Sequence, residues 1–390
     1  MRKNILVLTT SLDMGGITSF TVNLVNQLSC RHRVTLAYTC DNANRLGDIP
    51  PDVVTIPYSI PSTRAVLLEM AQRGWIGHAL RIKLRKHHQV SPIPSIQRFS
   101  YAMASKTELP RELSGQFDVA ISTAEFFCNN LVMKKIAADT RVAWIHPDYQ
   151  AMHADVAFDR ITLDTADWIA VVSEQNRQTL SRIIPDYRDK VLYVPNLLDV
   201  RRIRERANSM PEEYQDMTDR NIFVTVCRLD NSSKRLDRAV KICRVLKARG
   251  DRFHWFIVGD GPDRKRIAEE ICQNDVADCM TLLGGRENPY PYMAYADLFV
   301  LTSQYEGKPV VIDEALALGC PVAVTEYGSA REQVGPQQGW ILPNDDEACI
   351  KEFLKAFKGS KPCRIPPETD ERNRIMFWQA TDRILGISES

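Results

Sequence analysis

The fold of this protein is decided by residues 221–261, which read NIFVTVCRLDNSSKRLDRAVKICRVLKARGDRFHWFIVGDG. Two apolar runs rich in β-branched and aromatic residues, 222–227 and 254–258, have the composition of buried strands. Between them, residues 235–249 carry apolar side chains at the spacing of an amphipathic helix: Leu236, Ala239, Val240, Cys243 and Leu246. A strand, a helix and a second strand in this order predict a parallel sheet covered by helices on both faces.

The same alternation extends along the chain in both directions. Towards residue 357 the further strand candidates are 280–283, 298–302, 322–325 and 340–342. Residues 1–196 contain a second, less regular set, with helices expected after Gly16, Thr123 and Ser173 and with strands at 4–9, 33–39, 117–121, 141–145, 168–172 and 191–194. Each set is sufficient for a doubly wound domain of its own.

We therefore predict an α/β protein of two Rossmann-like domains, residues 1–196 and 197–366, facing each other across a cleft. Pro195-Asn196, followed by a charged stretch, marks the hinge, and residues 368–385 have the pattern of one amphipathic helix. Ligands of such sheets bind beyond the carboxyl ends of the strands. The cleft is therefore the expected position of the functional site.

Composition excludes several classes of function. The chain has 390 residues, a net charge of +1 and 25% charged residues. It therefore lacks the overall basic excess that is typical of nucleic-acid-binding proteins. Its ten cysteines contain no CxxC pair, which argues against a disulfide framework or a zinc site and favours the cytoplasm. No uncharged apolar run reaches the roughly 18 residues that a membrane-spanning helix requires.

One segment departs from this even charge distribution. From Arg64 to Lys106 there are eight Lys and Arg residues and a single acid, Glu69. Two interpretations remain open: a solvated helical face with a few core contacts, or a basic helix that meets an anionic membrane surface. In the second interpretation, apolar residues between the cations would enter the lipid interface: Trp75, Ile76 and Leu80.

Three short motifs lie where predicted strands end. Gly15-Gly16 opens the first helix and would let an anion approach free N–H groups, although such a pair also occurs in simple tight turns. Arg228 and Lys234 follow a strand and suit a diphosphate, unless they are ordinary surface cations. The turn Gly259-Asp260-Gly261 is expected to shape the site rather than to perform chemistry.

The most informative motif is residues 305–316, which read YEGKPVVIDEAL. Glu306 follows a buried strand, and Glu314 lies one turn inside a helix that begins at Pro309. Carboxylates bind sugar hydroxyls, and a helix N-terminus binds phosphate. The alternative is that both glutamates only complement the dipole of the helix.

Residues 306–314 resemble the E-x7-E motif of the retaining family 4 glycosyltransferases, which have the GT-B fold. The resemblance runs nearly from end to end, and the order and spacing of its parts make it specific. The other matching parts are Gly15-Gly16, WIHPDY at 144–149, AVVSE at 170–174, VPN at 194–196, Arg228 with Lys234, GDG at 259–261 and YADLFVLTS at 295–303.

This resemblance implies roles for individual residues. Arg228 and Lys234 would bind the donor diphosphate, Glu306 the hydroxyls of the transferred sugar, and Glu314 the ribose. His146 would lie near the transferred sugar and the acceptor. The expected catalytic residues are thus His146, Glu306, Arg228 and Lys234, and the remaining donor contacts would come from Gly15, Gly16, Gly259, Gly307, Lys308 and Val310.

The resemblance also implies the reaction. The chain would be a hexosyltransferase that moves a sugar, with retention, from a nucleotide-diphosphate sugar to a saccharide or lipid-linked acceptor. A UDP-sugar is the favoured donor, and neither a metal nor another cofactor is expected. The first domain would serve the acceptor and carry helix 368–385 on its surface, and the second would bind the nucleotide sugar. By analogy with similar bacterial chains, the product would be an exopolysaccharide, a capsule or a lipid-linked glycan, and the protein is expected in the cytoplasm or at the inner face of the plasma membrane.

Three details differ from the family pattern. Thr18 and Ser19 stand where many members have an acid, and Arg235 replaces a common glycine, a change that a helix is expected to tolerate. Pro309 has no N–H to donate, so the backbone contact would come from Gly307, Lys308 or Val310.

Three alternatives remain. A sugar-nucleotide epimerase and a glycan phosphorylase share this architecture, and a non-catalytic partner subunit of a glycosyltransferase complex is an alternative of a different class. The presence of every cation and carboxylate of the expected donor site argues against the partner subunit.

Overall fold

A computed structural model describes residues 2–13, 15–40, 43–83, 93–358 and 371–387. The chain divides into two compact units, Met1–Leu197 together with Glu371–Ser390, and Leu198–Asp370. Each unit contains one wholly parallel sheet. Parallel strands are buried on both faces, because the helices that connect them lie on both faces.

The first unit has a seven-stranded sheet in the order β3-β2-β1-β4-β5-β6-β7. Its strands are β1 Asn4–Leu8, β2 Arg33–Thr39, β3 Val54–Tyr58, β4 Phe117–Ser122, β5 Ala138–Ile145, β6 Trp168–Val171 and β7 Val191–Tyr193. Along β1, Leu6 and Leu8 enter the core on one face, and Ile5 and Val7 enter the core on the other. This alternation explains why the strand reads as a continuous apolar run.

Strand β3 of this sheet is not predicted by the apolar runs of the sequence. It lies at the sheet edge against β2, and its residue Pro57 pairs with Tyr38. Val54 is exposed, and only Tyr58 of this strand is fully buried. An edge strand that contains proline and has few buried residues lacks the apolar run on which the sequence prediction depended.

In the described part of the chain, seven α-helices of the first unit precede the second unit. They are α1 Gly16–Ser29, α2 Thr63–Gln72, α3 Ile76–Lys83, α4 Ile93–Lys106, α5 Phe127–Lys135, α6 Val156–Leu163 and α7 Glu174–Ile183. The helices predicted after Gly16, Thr123 and Ser173 are α1, α5 and α7. Helices α2, α3 and α4 share a small apolar cluster of their own around Val66, Met70 and Ala102.

The second unit has a six-stranded sheet in the order β10-β9-β8-β11-β12-β13. Its strands are β8 Asn221–Val226, β9 Phe253–Val258, β10 Met280–Gly284, β11 Leu298–Leu301, β12 Val322–Thr325 and β13 Gly339–Leu342. Its helices are α8 Val200–Arg206, α9 Asn231–Lys234, α10 Leu236–Ala248, α11 Arg264–Gln273, α12 Tyr290–Ala294, α13 Val310–Ala317, α14 Ala330–Gln333 and α15 Asp346–Lys358. All six strands expected in this region are present.

The final helix, α16 Glu371–Ile384, belongs to the first unit. Phe377, Ile384 and Leu385 enter the same core as Ile5 and Val7 of β1. The guanidinium of Arg31 lies 3.7 Å from the ring centroid of Trp378. Residues 368–370, which the sequence analysis included in this helix, lie outside the described residues.

Candidate active site

The carboxyl ends of two neighbouring strands organise the site in the second unit. Strand β8 pairs with β11, with Phe223 opposite Leu298 and Val224 opposite Phe299. The loop after β8 carries Arg228 and leads to Lys234 in α9, and the loop after β11 carries Glu306. Since parallel neighbours end at the same edge, the two loops lie side by side. The main chain joins them, because Gln304 donates its N–H to the carbonyl of Ser233 at 2.7 Å.

Lys234 and Glu306 form a direct ion pair at this edge. The Nζ atom of Lys234 donates to Oε1 of Glu306 at 2.5 Å, and the two side chains are only 20% and 12% exposed. Burial acts to lower the pKa of Lys234, but the Glu306 carboxylate, together with Cys227 and Asp230, outweighs burial and the net pKa is raised. Lys234 is therefore held in its charged form beside an anionic partner.

The two carboxylate oxygens of Glu306 have different surroundings. Oε1 accepts from Lys234 and also from the Ser303 hydroxyl at 2.6 Å. No donor to Oε2 occurs among the residues that the structure describes. One oxygen thus orients the side chain, and the other is available to accept a hydrogen bond from a ligand hydroxyl.

A buried hydroxyl fixes the position of the Lys234 backbone. The Thr302 hydroxyl lies 3.0 Å from the carbonyl oxygens of both Lys234 and Arg235. Thr302 directly follows β11 and is almost fully buried. The loop that carries Glu306 is thereby tied to the end of α9, which carries its partner Lys234.

Arg228, by contrast, is an exposed cation without a partner of its own. It follows β8 on the loop that leads to α9, and no described side chain or carbonyl bonds to its guanidinium. An arginine fork that is free and exposed can bind two oxygens of a phosphate. The N–H groups of the Arg228 guanidinium are therefore available to bind a ligand, whereas Lys234 already binds Glu306.

The turn after β9 supports the loop of Arg228. A Cβ at Gly259 would lie 1.9 Å from the carbonyl oxygen of Cys227, and a Cβ at Gly261 would lie 2.5 Å from that of Leu229. Leu229 also donates its N–H to the carbonyl of Asp260 at 3.0 Å. Glycine is needed at both positions because two backbones approach closely. The candidate donor residue Gly259 thus supports the loop sterically.

Arg235 does not lie inside a helix, contrary to the sequence prediction. With φ 48° and ψ 49° it is in the left-handed region, between the end of α9 and the start of α10. This conformation costs a non-glycine residue roughly 1–2 kcal/mol, which explains why glycine is favourable here. The Arg235 side chain offsets part of the cost through ion pairs with Asp237 at 3.0 Å and Asp346 at 2.8 Å.

The loop from Glu306 to α13 presents main-chain donors. The Gly307 carbonyl accepts from the Ser329 hydroxyl, and the Pro309 carbonyl accepts from Gln333 at 2.9 Å. Within the described residues, the N–H groups of Gly307 and Val310 have no acceptor. Pro309 has no N–H to offer, and Lys308 is half-buried. Free N–H groups at a helix N-terminus are suited to an anion or a hydroxyl oxygen.

Glu314 lies in the second turn of α13 and is buried. The Tyr290 hydroxyl donates to its Oε1 at 3.2 Å, and Tyr290 is itself buried in α12. The carboxylate is thus oriented by a neighbouring helix. The role in ribose binding that the resemblance implies for Glu314 stays a prediction.

His146 belongs to the first unit and follows β5. Its main-chain N–H donates to the Glu125 carboxylate at 2.5 Å, and its Nε2 lies 3.0 Å from the carbonyl of Thr123. A carbonyl only accepts, so Nε2 carries the proton. Burial lowers the pKa of His146, which keeps the ring neutral and leaves Nδ1 as an acceptor. The edge of the ring packs on Phe20 with centroids 4.6 Å apart.

Gly15 and Gly16 lie at the N-terminus of α1 in the first unit. Both are exposed, and a Cβ at either would meet nothing within 4 Å. Protein neighbours therefore do not require glycine at these positions, but the backbone of Gly15, with φ 157°, favours it. The absence of side chains leaves the N–H groups of the first turn accessible.

Several residues that position the site could not be identified from sequence. Ser303 lies inside the quoted tract 295–303, but nothing in the sequence signals its bond to Glu306. Ser329 and Gln333 contact the loop of Gly307 from 22 and 24 positions away. Such contacts depend on the order of strands in the sheet, which local patterns do not specify.

Three properties of the described residues bear on cofactors and membranes. Among the described residues, no group of three or more His, Cys, Asp or Glu could hold a metal ion. The nine cysteines that the structure describes are all free thiols. No helix in the described ranges has the length and apolar character to cross a bilayer. The prediction that no metal is required stays a prediction.

Part of the chain matches a known family. Residues 207–370 match the family described as Glycosyl transferases group 1. This range contains Arg228, Lys234, Glu306 and Glu314, and it nearly coincides with the second compact unit. The match therefore covers the part of the chain in which the ion pair and the free main-chain donors occur.

Two curated relatives are similar over part of their length. The amylovoran biosynthesis glycosyltransferase AmsK of Erwinia amylovora is 32% identical over 162 residues, 39% of this chain and 40% of the relative. An N-acetylgalactosaminyltransferase of Campylobacter jejuni, named as acting on a diphospho-undecaprenol substrate, is 29% identical over 49% of this chain and 50% of its own. The chain thus spans about half or less of the length of these relatives.

A solved structure aligns over nearly the whole chain. Anabaena Alr3699/HepE, in complex with UDP and glucose, covers 99% of this chain and 98% of its own, with a TM-score of 0.67 and 14% identity. At this identity the likeness shows the fold alone. Together with the two parallel sheets, it confirms the predicted GT-B fold class, with two Rossmann-like α/β domains.

Proposed function

We propose that this chain is a retaining hexosyltransferase of the family 4 type, which moves a sugar from a nucleotide-diphosphate sugar to a saccharide or lipid-linked acceptor. The observation that carries the proposal is the ion pair of Lys234 and Glu306. It places a cation, and a carboxylate with one oxygen still available as an acceptor, beside the free N–H groups of the loop that precedes α13. A diphosphate and the hydroxyls of its attached sugar require this combination of charges and donors.

The donor diphosphate is bound by cations and main-chain amides. Arg228 offers an unoccupied guanidinium fork, and Lys234 offers the donors of its ammonium group that Glu306 does not use. As the bond between the sugar carbon and the phosphate oxygen breaks, negative charge accumulates on that oxygen. Preorganised cations and helix N-termini stabilise such a charge without reorganising.

Glu306 binds the transferred sugar and is not the nucleophile. Its Oε1 is already committed to Lys234 and Ser303, and its Oε2 accepts from a sugar hydroxyl. The acceptor hydroxyl attacks the sugar carbon on the face that the diphosphate leaves. The new carbon–oxygen bond forms as the old one breaks, and the acceptor proton passes to the departing phosphate oxygen. Attack on the same face retains the configuration.

His146 contributes on the acceptor side as a neutral imidazole. With Nε2 donating to Thr123, its Nδ1 can accept a hydrogen bond from a sugar or acceptor hydroxyl. Gly15 and Gly16 leave the N-terminus of α1 open to phosphate or sugar oxygens. Glu314, oriented by Tyr290, binds the ribose hydroxyls of the nucleotide.

The relatives support a biological setting. One is named for amylovoran biosynthesis and another for a diphospho-undecaprenol substrate. The HepE structure contains UDP and glucose, which favours a UDP-sugar as donor. We therefore propose a place in the synthesis of exopolysaccharide, capsule or lipid-linked glycan at the cytoplasmic side, with neither metal nor nucleic acid as a partner.

Two measurements test this function. A thermal-shift screen of UDP-, GDP- and ADP-sugars identifies the donor, since ligand at about 100 times its Kd adds about 2.7 kcal/mol of stability. Product analysis with and without saccharide acceptors then separates the candidates. A new glycoside with retained configuration supports the proposal. A sugar nucleotide altered without an acceptor indicates an epimerase, and binding without any product indicates a non-catalytic partner subunit.

A further inference from the structure

Helix α3 presents two large apolar side chains on its outer face. Ile76 and Leu80 are 58% and 48% exposed. They are four residues apart, so they lie on the same face of the helix, one turn from each other. Lys83 follows at the next position of this stripe, and Arg81 flanks it.

Exposed apolar residues concentrate in this part of the chain. Within the described ranges, the large apolar side chains that are exposed are Val54, Ile60, Leu68, Ile76, Leu80, Ile161, Met210, Tyr295 and Ile375. Five of these nine fall between residues 54 and 80. Single exposed apolar residues are ordinary, whereas adjacent ones form a patch, and among these five Ile76 and Leu80 are neighbours on one helix face.

The charge around these residues is of one sign. Arg64, Arg81 and Lys83 are exposed, and no described residue forms an ion pair with them. The acid of this segment, Glu69, is buried and already bonded to Arg73 and Lys106. The outer surface of α2 and α3 therefore combines apolar side chains and free cations without an exposed acid. Arg85 and Lys86, in the same basic segment, lie outside the described residues.

Trp75 anchors this helix instead of extending outward, which corrects the expectation that it enters a lipid interface. Its ring packs edge-to-face on Tyr101 at 5.7 Å and on Phe158 at 5.3 Å. Ala79 also packs inward, against the small cluster of α2 and α4. Because the inner side of α3 is fixed by these contacts, the exposure of Ile76 and Leu80 is a property of the packed helix.

We infer that the outer face of α3 docks the protein on an anionic lipid bilayer. Ile76 and Leu80 enter the headgroup boundary, and Arg81 and Lys83 pair with lipid phosphates beside them. A convex helix with apolar residues on one stripe and cations at its flank suits a flat, negatively charged, apolar surface. This inference does not depend on the proposed sugar transfer, because α3 carries none of the proposed site residues.

Co-sedimentation with vesicles tests it without any sugar substrate. The full chain is mixed with vesicles of phosphatidylcholine alone or of phosphatidylcholine with phosphatidylglycerol. We expect binding to the anionic vesicles only, weakened by salt. Arg81→Gln with Lys83→Gln is expected to lower the partition coefficient about 30-fold, about fivefold for each cation. Ile76→Ser with Leu80→Ser is expected to lower it about tenfold.

Matched controls distinguish this face from the general surface. Ile161→Ser removes an apolar side chain of α6 that is 51% exposed, and Lys351→Gln with Lys358→Gln removes two exposed cations of α15. These variants are expected to bind vesicles as the wild type does. Equal binding to both vesicle types, or unchanged binding of the Ile76 and Leu80 variant, overturns the inference. So does a change in oligomeric state of that variant without vesicles, which would assign the face to a second copy of the chain.

Discussion

The Nζ atom of Lys234 lies 2.5 Å from Oε1 of Glu306, although the two residues are 72 positions apart in the chain. The pair forms because β8 and β11 are neighbours in the sheet and because Thr302 holds the backbone of Lys234 against the loop of Glu306. Each side chain therefore fixes the other before any ligand arrives. Site residues that are positioned in advance lower the cost of binding and of charge stabilisation.

Removing either cation of the proposed diphosphate site is expected to reduce turnover. Arg228→Ala and Lys234→Met should each lower kcat about 10²–10³-fold, the usual cost of losing one preorganised charge-stabilising group. The exposed cation variant Lys265→Met serves as a control for net charge and is expected to keep full activity. Near-normal turnover in both site variants would place the donor elsewhere.

The same two variants should differ in stability. Lys234→Met leaves the largely buried Glu306 carboxylate, 12% exposed, with Ser303 alone and should cost about 1–3 kcal/mol. Arg228 is exposed and unpaired, so Arg228→Ala should leave the free energy of unfolding unchanged within about 0.5 kcal/mol. Urea unfolding of both proteins, followed by circular dichroism, measures the difference. Equal stability of the two variants would contradict the ion pair.

Substitution of the two glutamates separates sugar binding from nucleotide binding. Glu314→Gln should weaken the binding of free nucleoside diphosphate, because a ribose contact is shared by substrate and product. Glu306→Gln should bind the free nucleotide normally and lose turnover. Calorimetric titration with the diphosphate and steady-state kinetics measure the two effects. Unchanged nucleotide binding in Glu314→Gln would disprove its ribose role.

Replacing Arg235 tests the left-handed backbone. Arg235→Ala and Arg235→Gly lose the same ion pairs, but glycine adopts φ 48° without the steric cost. The glycine variant should therefore be about 1 kcal/mol more stable than the alanine variant. At exposed Arg244 inside α10 the order should reverse, with glycine about 1 kcal/mol less stable than alanine. Thermal unfolding of the four proteins measures both differences.

Asp346 is expected to make the free energy of unfolding depend on pH in the acidic range. Burial opposes its ionisation, but Lys241, Arg238 and Arg235 outweigh burial and lower its pKa to about 2. Because the folded-state pKa is below the unfolded one, the carboxylate stabilises the fold above about pH 4, and this stabilisation is lost as the pH falls towards 2. Asp346→Asn should cost roughly 2 kcal/mol near neutral pH and much less at about pH 2.

Urea unfolding at the two pH values measures this effect. Its control is Glu347→Gln, which changes the exposed neighbour in the same first turn of α15. That control is expected to show no comparable loss at neutral pH. A constant difference between wild type and Asp346→Asn at both pH values would rule out the proposed linkage.

Activity is expected to survive EDTA. Arg228, Lys234 and the amides that open α13 supply the positive charge that a divalent ion supplies elsewhere. The measurement is turnover before and after treatment with the chelator, with Mg²⁺ and Mn²⁺ added back in turn. Activity that disappears and returns only with one of these ions would refute the mechanism.

Much of the fold could be predicted because strands buried on both faces read as continuous apolar runs. This held for β8, β9 and β11, and it failed for the edge strand Val54–Tyr58, which is mostly unburied and contains Pro57. The same limit applies to Arg235, whose helical neighbours hid a break of one residue in the left-handed region. The periodicity of apolar residues does not reveal a single residue with a positive φ.

The sequence by itself determined two α/β sheets and placed Arg228, Lys234, Glu306 and the glycine pairs at the ends of strands or the starts of helices. These properties follow from local patterns of burial and turn chemistry. Only the tertiary structure decided that Lys234 binds Glu306 and that α3 turns Ile76 outward while Trp75 packs inward. Those outcomes depend on which strands and helices become neighbours. A contact between residues that are distant in the chain is set by the packing of whole elements, and the local sequence around each residue does not determine it.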